Sequence, residues 1–355
     1  MSTAPVSGMV RNGLLALLVN DSQATQTQLN KLTQQSASGK VADTYGGLGT
    51  GASVSIDLRP QMAQVSAWQQ NISTANGSLS TTQSVLGQLT SIANTFSSAA
   101  LGAGMTDSTG IAAVAVQAKA ALQQVVALLN TQTSGQYVFA GTNSTTAPVS
   151  TSLPSWVISA SGAGTVVAGL ASGTDPATVV QNLVTTASGW NLAAPGSAQP
   201  TGAAAAALQT QTGDGQTATM AFVAGQNSFA PKSASATGSY VGDLVAGLAG
   251  LAALGSSTAS ESTMVSYGAA ISQLLQGAGT AMTTEEAGFG QVQATLTTQT
   301  TTLSDTLTSL KTQVSSVENV DMAATATALA QVQTQLQASF QLIAGLKQLS
   351  LTAYL

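Results

Sequence analysis

The sequence predicts a mainly α protein. Both ends of the chain form a long antiparallel coiled-coil or helical-bundle rod, and the middle forms a small, mostly β inserted outer domain. Apolar residues recur every seven positions near both termini, which keeps one stripe of each helix against a partner helix. Six of the eight prolines lie between residues 142 and 231, so the helical pattern is interrupted there. No proline follows Pro231, which permits long helices to resume.

The composition excludes several classes of function. Charged residues make up 6% of the 355 residues, against about 25% in ordinary globular proteins, so we expect much of the surface to be packed against something. The absence of His and Cys removes imidazole catalysis, thiol chemistry, disulfides and most zinc or iron–sulfur sites. The net charge of −5 and the scattered Lys and Arg indicate no nucleic-acid partner. We predict no enzyme activity, cofactor or metal.

The first predicted helix covers residues 6–36 and ends at Ser38-Gly39. The apolar run at 13–19 resembles the core of a signal peptide, but no small-residue cleavage site follows it. No window is long and apolar enough to predict membrane insertion. The leucines on the apolar side of this helix are predicted assembly contacts. They are Leu14, Leu18, Leu29 and Leu32. Residues 45–51 are interpreted as a flexible glycine-rich turn, because the phosphate-loop pattern is absent.

A second helix is predicted to open at Asp57, with Pro60 in its first turn, where proline is tolerated. Its heptad positions are predicted to form half of the core of the rod. They include Val65, Ile72, Leu79 and Leu86. Gly102–Gly104 should end this helix, and a third should run from about Ile111 to Ser134. The following Gln136–Gly141 is apolar, aromatic and typical of a strand.

Residues 142–231 differ in character from both flanks. The short Val/Thr/Ile stretches at 156–158 and 165–167 lie between turn-forming residues and predict strands. Asp175 and Asp214 are the only charged residues in the segment. Two isolated aspartates offer neither a carboxylate pair for hydrolysis nor a metal site. We therefore predict a small inserted domain, mostly β and without catalytic machinery.

After Lys232 the sequence predicts helices again, with breaks near Gly255 and at Gly277–Gly279. Thr284-Glu285-Glu286 is predicted to open the last rod helix, with its acids near the positive helix end. The heptad positions of that helix complete the predicted rod core: Phe289, Leu296, Leu303 and Leu310. The acidic break at 318–321 separates it from a final helix. The predicted assembly contacts there are Leu329, Leu336, Phe340, Ile343 and Leu346.

The two heptad series predict different partners. The heptads at 58–96 and 289–317 can pair with each other when the chain folds back on itself. The outermost helices would form only a thin pair, which is marginal in water, so we predict that they pack on neighbouring subunits. The predicted domains are terminal assembly helices at 1–40 and 320–355, a helical rod at 41–141 and 232–319, and an exposed variable domain at 142–231.

Specific segments resemble the bacterial flagellin and hook-associated protein 3 superfamily. The sequence SASGK at 36–40 is similar to the element that follows the first helix of that family. Further segments are similar to elements of the hook–filament junction protein. They are QYVFAG at 136–141, VENVDM at 317–322, LQASF at 336–340 and LSLTAYL at 349–355. The resemblance covers roughly residues 5–141 and 235–355.

The resemblance implies a structural subunit of the bacterial flagellum, used for swimming motility and exported through the flagellar type III pathway without a cleaved signal peptide. It implies an extracellular location and partners that are other copies, hook-associated protein, flagellin and an export chaperone. A hook–filament junction subunit is preferred, and a bulk filament subunit is the alternative. The heptads alone also permit a secreted coiled-coil adhesin. A catalytic middle domain, as in a few flagellins, is not expected.

Overall fold

The structure, a computed structural model, describes residues 6–102, 105–194 and 206–351, and within them the side chains of residues 16–345 other than residue 256. Long helices dominate these ranges, and the strands form two short hairpins, which confirms the predicted fold class. The chain divides into two compact units. Unit 1 comprises residues 1–66 and 304–355, and unit 2 comprises residues 67–303.

Nine helices and four strands follow one another in the described residues. They are α1 (Val6–Ser38), α2 (Gly51–Leu101), α3 (Ser108–Leu129), β1 (Gln132–Thr133), β2 (Gln136–Tyr137), α4 (Leu153–Ile158), α5 (Ala163–Ala168), α6 (Pro176–Ala187), β3 (Leu208–Gly213), β4 (Gln216–Ala221), α7 (Tyr240–Ala253), α8 (Glu261–Glu318) and α9 (Met322–Leu351). β1 pairs with β2 and β3 with β4, both antiparallel.

Within unit 2, α2 and α8 pack antiparallel. The hydroxyls of Ser97 and Ser272 lie 2.8 Å apart, and Gln293 Nε2 donates to Ser80 Oγ at 3.2 Å. In these contacts the residue numbers decrease along α2 as they increase along α8. The heptad residues of both helices are buried here, because a seven-residue repeat keeps one stripe facing the partner. Those in unit 2 are Ile72, Leu79, Leu86, Phe289, Leu296 and Leu303, and Val65 and Leu310 are buried in unit 1.

The close approach of α2 and α8 requires a glycine at position 268. A Cβ built on Gly268 would lie 2.1 Å from the carbonyl oxygen of Ala100. The Ala100 carbonyl belongs to the packed end of α2, so it cannot move away from such a Cβ unless the two helices separate. The neighbouring small residue at Gly277 is different, because a Cβ there meets no atom within 4 Å.

We expect Gly268→Ala to lower the free energy of unfolding of unit 2 by about 1–3 kcal/mol, the usual cost of overpacking a core. This cost exceeds the roughly 1 kcal/mol that alanine gains over glycine in a helix. Urea unfolding followed by tryptophan fluorescence reports on unit 2 alone, because Trp68, Trp156 and Trp190 all lie there. Gly277→Ala is the control and should be neutral or stabilising. Equal effects of the two substitutions would contradict the steric argument.

The predicted break at Gly277–Gly279 is wrong, since α8 runs through it without interruption. Ala278 is fully buried within this stretch, and packing of that kind offsets the helix cost of two glycines. As a result, Thr284–Glu286 lies in the interior of α8. The prediction that its acids sit at a helix start is therefore also wrong.

The start of α2 differs from the prediction as well. The helix begins at Gly51 rather than Asp57, so Pro60 lies in its interior. Proline removes one helical hydrogen bond at that position. Tertiary contacts hold the first turns: Ser55 is fully buried, and Arg59 forms an ion pair with Glu318 of α8.

The inserted segment contains more helix than the sequence predicted. The stretches predicted as strands at 156–158 and 165–167 are wrong in type, because they lie in α4 and α5. These helices and α6 pack on α7, so their β-branched residues are placed by tertiary contact rather than by propensity. Asp175 caps α6, with Oδ2 accepting from Thr178 N at 3.1 Å. The β structure of the segment is the β3–β4 hairpin.

Helix α3 ends at Leu129, earlier than predicted, and a left-handed turn at Ser134-Gly135 joins β1 to β2. By length and composition, α3 is the one described helix that could cross a membrane. The prediction that no window is long and apolar enough is therefore wrong by this criterion. The apolar face of α3 packs against α7 and buries residues from Val114 to Leu129. This burial accounts for its apolar character within unit 2.

Candidate assembly interface

Helices α1 and α9 pack against each other in unit 1. Lys40, after α1, and Asn319, before α9, form an antiparallel backbone bridge, and Val41 N donates to Glu318 O at 2.7 Å. The bridge lies at the last turn of α1 and the first turn of α9. The two helices therefore run antiparallel from this point.

This helix pair buries few large apolar side chains. In the described part of α1 and α9, Val332 is the large apolar residue that is buried, and the other buried residues are small and polar: Ser22, Thr25, Thr325 and Ser339. Most of the predicted assembly contacts are half-buried. They are Leu18, Leu29, Leu32, Leu329, Leu336 and Ile343. Phe340 is 52% exposed, and the side chains of Leu14 and Leu346 lie outside the described residues.

Exposed apolar surface is concentrated in unit 1. Eight of the twelve exposed large apolar side chains in the described residues belong to it, although it is the smaller unit. They are Leu17, Val19, Tyr45, Val54, Ile56, Met322, Phe340 and Leu342. Exposed large apolar side chains in this number are candidates for contact with another protein.

Four of these side chains lie at the same height on the α1/α9 pair. Leu17 and Val19 on α1, and Phe340 and Leu342 on α9, are about 30 Å along their helices from the antiparallel bridge, at 1.5 Å per residue. We call these four residues the apolar tip. The heptad analysis found only Phe340 among them. The continuous run Leu14–Val19 was the available signal, since it is wider than one seam can cover.

Charge is divided unevenly between the two units. The sequence places six acidic and six basic residues in unit 1, but seven acidic and two basic residues in unit 2. Unit 2 therefore carries the whole net charge of −5. Copies of unit 1 can approach each other without net repulsion, whereas the excess charge of unit 2 favours a solvated position.

The carboxylate of Glu318 joins α8 to α2. Arg59 donates to it from Nη2 at 2.7 Å and from Nε at 3.0 Å, and Ser55 Oγ donates to the same carboxylate. Hydrogen bonds from Arg59 and then Ser55 hold the pKa of Glu318 below its usual value of 4.5, and the nearby charge of Lys40 acts in the same direction. The sequence alone indicates Glu318 only as part of a helix break.

Acid is expected to loosen this part of unit 1. Because the pKa of Glu318 is lower in the folded state, its stabilising contribution is fully present above pH 4.5 and is lost as the pH falls through the folded value. We expect the hydrogen-exchange protection of the Val41 amide, relative to the intrinsic rate, to fall as the pH is lowered below about 4.5. In Glu318→Gln the protection should be lower and independent of pH over this range. An unchanged pH profile in that variant would contradict the assignment.

Unit 2 contains a buried carboxylate with a different environment. Glu285 Oε1 accepts three backbone N–H groups, from Ser228 at 2.7 Å, Phe229 at 2.8 Å and Ala230 at 2.8 Å. Burial raises the pKa of Glu285, and these three hydrogen bonds oppose the shift. The carboxylate fixes the loop that leads from the insertion towards α7. Among the described residues, no group of three or more His, Cys, Asp and Glu is placed to hold a metal ion.

Two family models match the chain. The bacterial flagellin N-terminal helical region matches residues 12–144, and the bacterial flagellin C-terminal helical region matches residues 272–355. The chain belongs to the bacterial flagellin superfamily. No curated protein matches it. The matched residues contain most of α1, all of α2 and α3, most of α8 and all of α9, and the unmatched residues 145–271 contain the insertion and α7.

Membership in the flagellin superfamily indicates the general function of the chain. Members are structural subunits that self-assemble into the extracellular flagellum. This protein is accordingly a structural subunit of the flagellum, with other copies and flagellar proteins as partners. The half-open α1/α9 pair and its apolar tip are the part of the described structure that a neighbouring subunit could complete.

Proposed function

We propose that this flagellin-superfamily protein is the hook–filament junction subunit, of the hook-associated protein 3 type. The similarity of Gln136–Gly141 and of the segments 317–322, 336–340 and 349–355 to junction-protein elements carries the proposal. Bulk flagellins more often end in a short leucine run with an arginine or glycine. A bulk filament subunit is the alternative.

The Gln136–Gly141 element has a structural role in this chain. Val138 and Phe139 are buried, and Gly141 has a φ of 58°. A Cβ on Gly141 would lie 2.4 Å from the carbonyl oxygen of Ala206, so a larger residue does not fit. The apolar pair followed by glycine is thus required where the chain enters and leaves the insertion.

In this proposal the α1/α9 pair is the assembly element. Its half-buried leucines and apolar tip pack against the corresponding helices of other copies, of hook-associated protein and of flagellin. Unit 2, with the net negative charge, takes the solvated position. We further propose export through the flagellar type III pathway without a cleaved signal peptide, with an export chaperone covering the terminal helices before assembly.

Deletion of the gene tests the junction function. The expected result is cells with hooks but without attached filaments, together with flagellin released into the medium, and complementation should restore attachment. Filaments that remain attached to the cell would overturn the proposal. Immunogold labelling of wild-type flagella separates the alternative, because a junction subunit labels one short zone next to the hook, whereas a bulk subunit labels the whole filament.

Limited proteolysis tests the role of the terminal helices. Because α1 and α9 bury so few large side chains in the single chain, we expect proteinase K to cleave the isolated protein first before about residue 40 and after about residue 320. Mass spectrometry of the fragments identifies the sites. The same sites should be protected in flagella that contain the protein. Equal protection of these sites in the isolated protein and in flagella would contradict the proposal that neighbouring subunits complete the α1/α9 pair.

A further inference from the structure

Two breaks between helices lie side by side in unit 1. Residues 39–41 follow α1 and residues 319–321 precede α9, and we call these six residues the paired break. Val41 N donates to Glu318 O at 2.7 Å, and Val320 N donates to Gly39 O at 3.0 Å. Gly39 has a φ of 69°, which ends α1 sharply. The α1/α9 pair is thus connected to α2 and α8 by a link of two segments rather than by continuous helix. Residues 39–50, with a 3₁₀ turn at Tyr45–Leu48, join α1 to α2, and residues 319–321 join α8 to α9.

Glu318 is the residue at which three segments meet. Its carbonyl oxygen accepts from Val41, and its carboxylate accepts from Arg59 and Ser55 of α2. The first residue of α2 also lies close to the last turn of α8, since a Cβ on Gly51 would lie 2.2 Å from Val317 Cγ1. The link, the first turns of α2 and the last turn of α8 therefore form one packed cluster around a single side chain.

In the described structure, the other hydrogen bonds made by residues 39–41 and 319–321 do not reach α2. Gln35 Nε2 donates to Val41 O at 2.8 Å, which joins the link to α1. Asp321 Oδ1 accepts from Ala323 N at 2.9 Å, which caps α9. In the described residues, the Arg59–Glu318 pair is the ion pair found, and it is the one that crosses from α8 to α2.

We propose that Glu318 is a positioning residue for assembly, which through Arg59 and Ser55 fixes the direction in which the α1/α9 pair leaves α2 and α8. The pair is poorly suited to a role in stability, because the Arg59 side chain is 51% exposed and exposed ion pairs contribute little. It is suited to orientation, because the two-pronged guanidinium contact defines an angle as well as a distance. This inference rests on the proposed assembly of the α1/α9 pair with other subunits.

Glu318→Gln is the test variant, since its amide nitrogen would face the Arg59 guanidinium donor to donor. Full-length proteins are added to isolated hooks and to sheared filaments, and bound protein is measured by sedimentation. We expect about tenfold weaker binding, which follows if the competent orientation is populated about a tenth of the time. Urea unfolding of unit 2 by tryptophan fluorescence should not change. Asp305→Asn and Lys311→Met, exposed charges on the same helix, are controls and should bind as wild type.

Charge reversal gives a second variant. Arg59→Glu and Glu318→Arg should each weaken binding, and the double variant should recover part of it. The amides of Val41 and Val320 should exchange faster in Glu318→Gln than in wild type. Wild-type binding by Glu318→Gln, or unchanged exchange of both amides, would overturn the positioning role and leave the proposed function intact. A wild-type protein that binds neither hooks nor filaments would overturn the proposed function, and the exchange measurement alone would then decide the role of Glu318.

Discussion

Replacing Glu285 with alanine is expected to lower the free energy of unfolding of unit 2 by about 3 kcal/mol or more. The substitution leaves three N–H groups without their acceptor. Ala230 is buried, so its unpaired donor costs about 1–3 kcal/mol, whereas Ser228 and Phe229 are exposed residues whose lost hydrogen bonds cost about 0.5–1.5 kcal/mol each. For a unit of this size, each kcal/mol lowers the melting temperature by about 2–4 °C. Thermal unfolding followed by tryptophan fluorescence measures the loss.

The neighbouring acid supplies the matched control. Glu286 is only half-buried on the same turn of α8, and we expect Glu286→Ala to change stability by no more than about 0.5 kcal/mol. Glu285→Gln keeps the accepting oxygen and should be far milder than Glu285→Ala. Similar losses at positions 285 and 286 would show that the three hydrogen bonds are not what stabilises the loop.

Glu285→Ala and Glu285→Gln together separate the contribution of the three hydrogen bonds to stability from the contribution of the charge. Since burial raises the pKa of Glu285, its contribution to stability is greatest below its unfolded pKa and is lost as the pH rises through the folded value. Asp243, whose pKa burial also raises, acts in the same direction. Unit 2 should therefore gain stability as the pH falls from neutral, the reverse of the effect at Glu318. Glu285→Gln should reduce this slope.

Replacing Phe340 and Leu342 together with serine is expected to suppress assembly without destabilising the isolated protein. Both side chains are more than half exposed in the single chain, so their loss removes little burial there. Burying a fully exposed large apolar side chain is worth about 1.5–3 kcal/mol. Because these two side chains are already about half buried in the single chain, the double variant loses about 2–3 kcal/mol per subunit contact. This corresponds to an increase on the order of a hundredfold in the concentration needed for assembly.

Sedimentation of the protein with sheared filaments, over a range of protein concentrations, measures this shift. Val116→Ser is the control, because Val116 is 70% exposed on α3 in unit 2, away from the apolar tip by sequence and by unit. It should assemble as wild type. Normal assembly of the Phe340/Leu342 variant would exclude α9 as the contacting surface at this height.

The comparison of the two long helices shows what a heptad can reveal. All eight residues that the repeat selects as the rod core, from Val65 to Leu310, are buried in the structure. The repeat marks a stripe along which α2 and α8 face each other, and Phe289 on that stripe also packs against Phe222 and Phe229 of the insertion, with ring centroids 4.4 and 5.1 Å away. In the terminal helices the same repeat selects leucines that are only half-buried, since a second helix of the same chain covers one side of them.

The insertion shows where short patterns fail. Trp156-Val157-Ile158 and Thr165-Val166-Val167 have strand-like composition but form helices. Runs of three or four apolar residues do not distinguish the two periods, so packing on α7 decides. The signals for helix were local and were missed: Pro154 near the start of α4, and Asp175 followed by Pro176 at the start of α6.

The sequence by itself determined the helical class, the antiparallel seam, the proline-rich insertion and the family, because each depends on a repeat or a motif contained within one stretch of chain. Only the tertiary structure decided the clusters at Glu318 and Glu285. Glu318 meets Arg59 across 259 positions, and Glu285 meets the Ser228–Ala230 loop across more than fifty. No local pattern encodes such meetings. They follow from the way the chain folds back on itself, which brings a lone acid to a lone base, or to a turn of unpaired N–H groups.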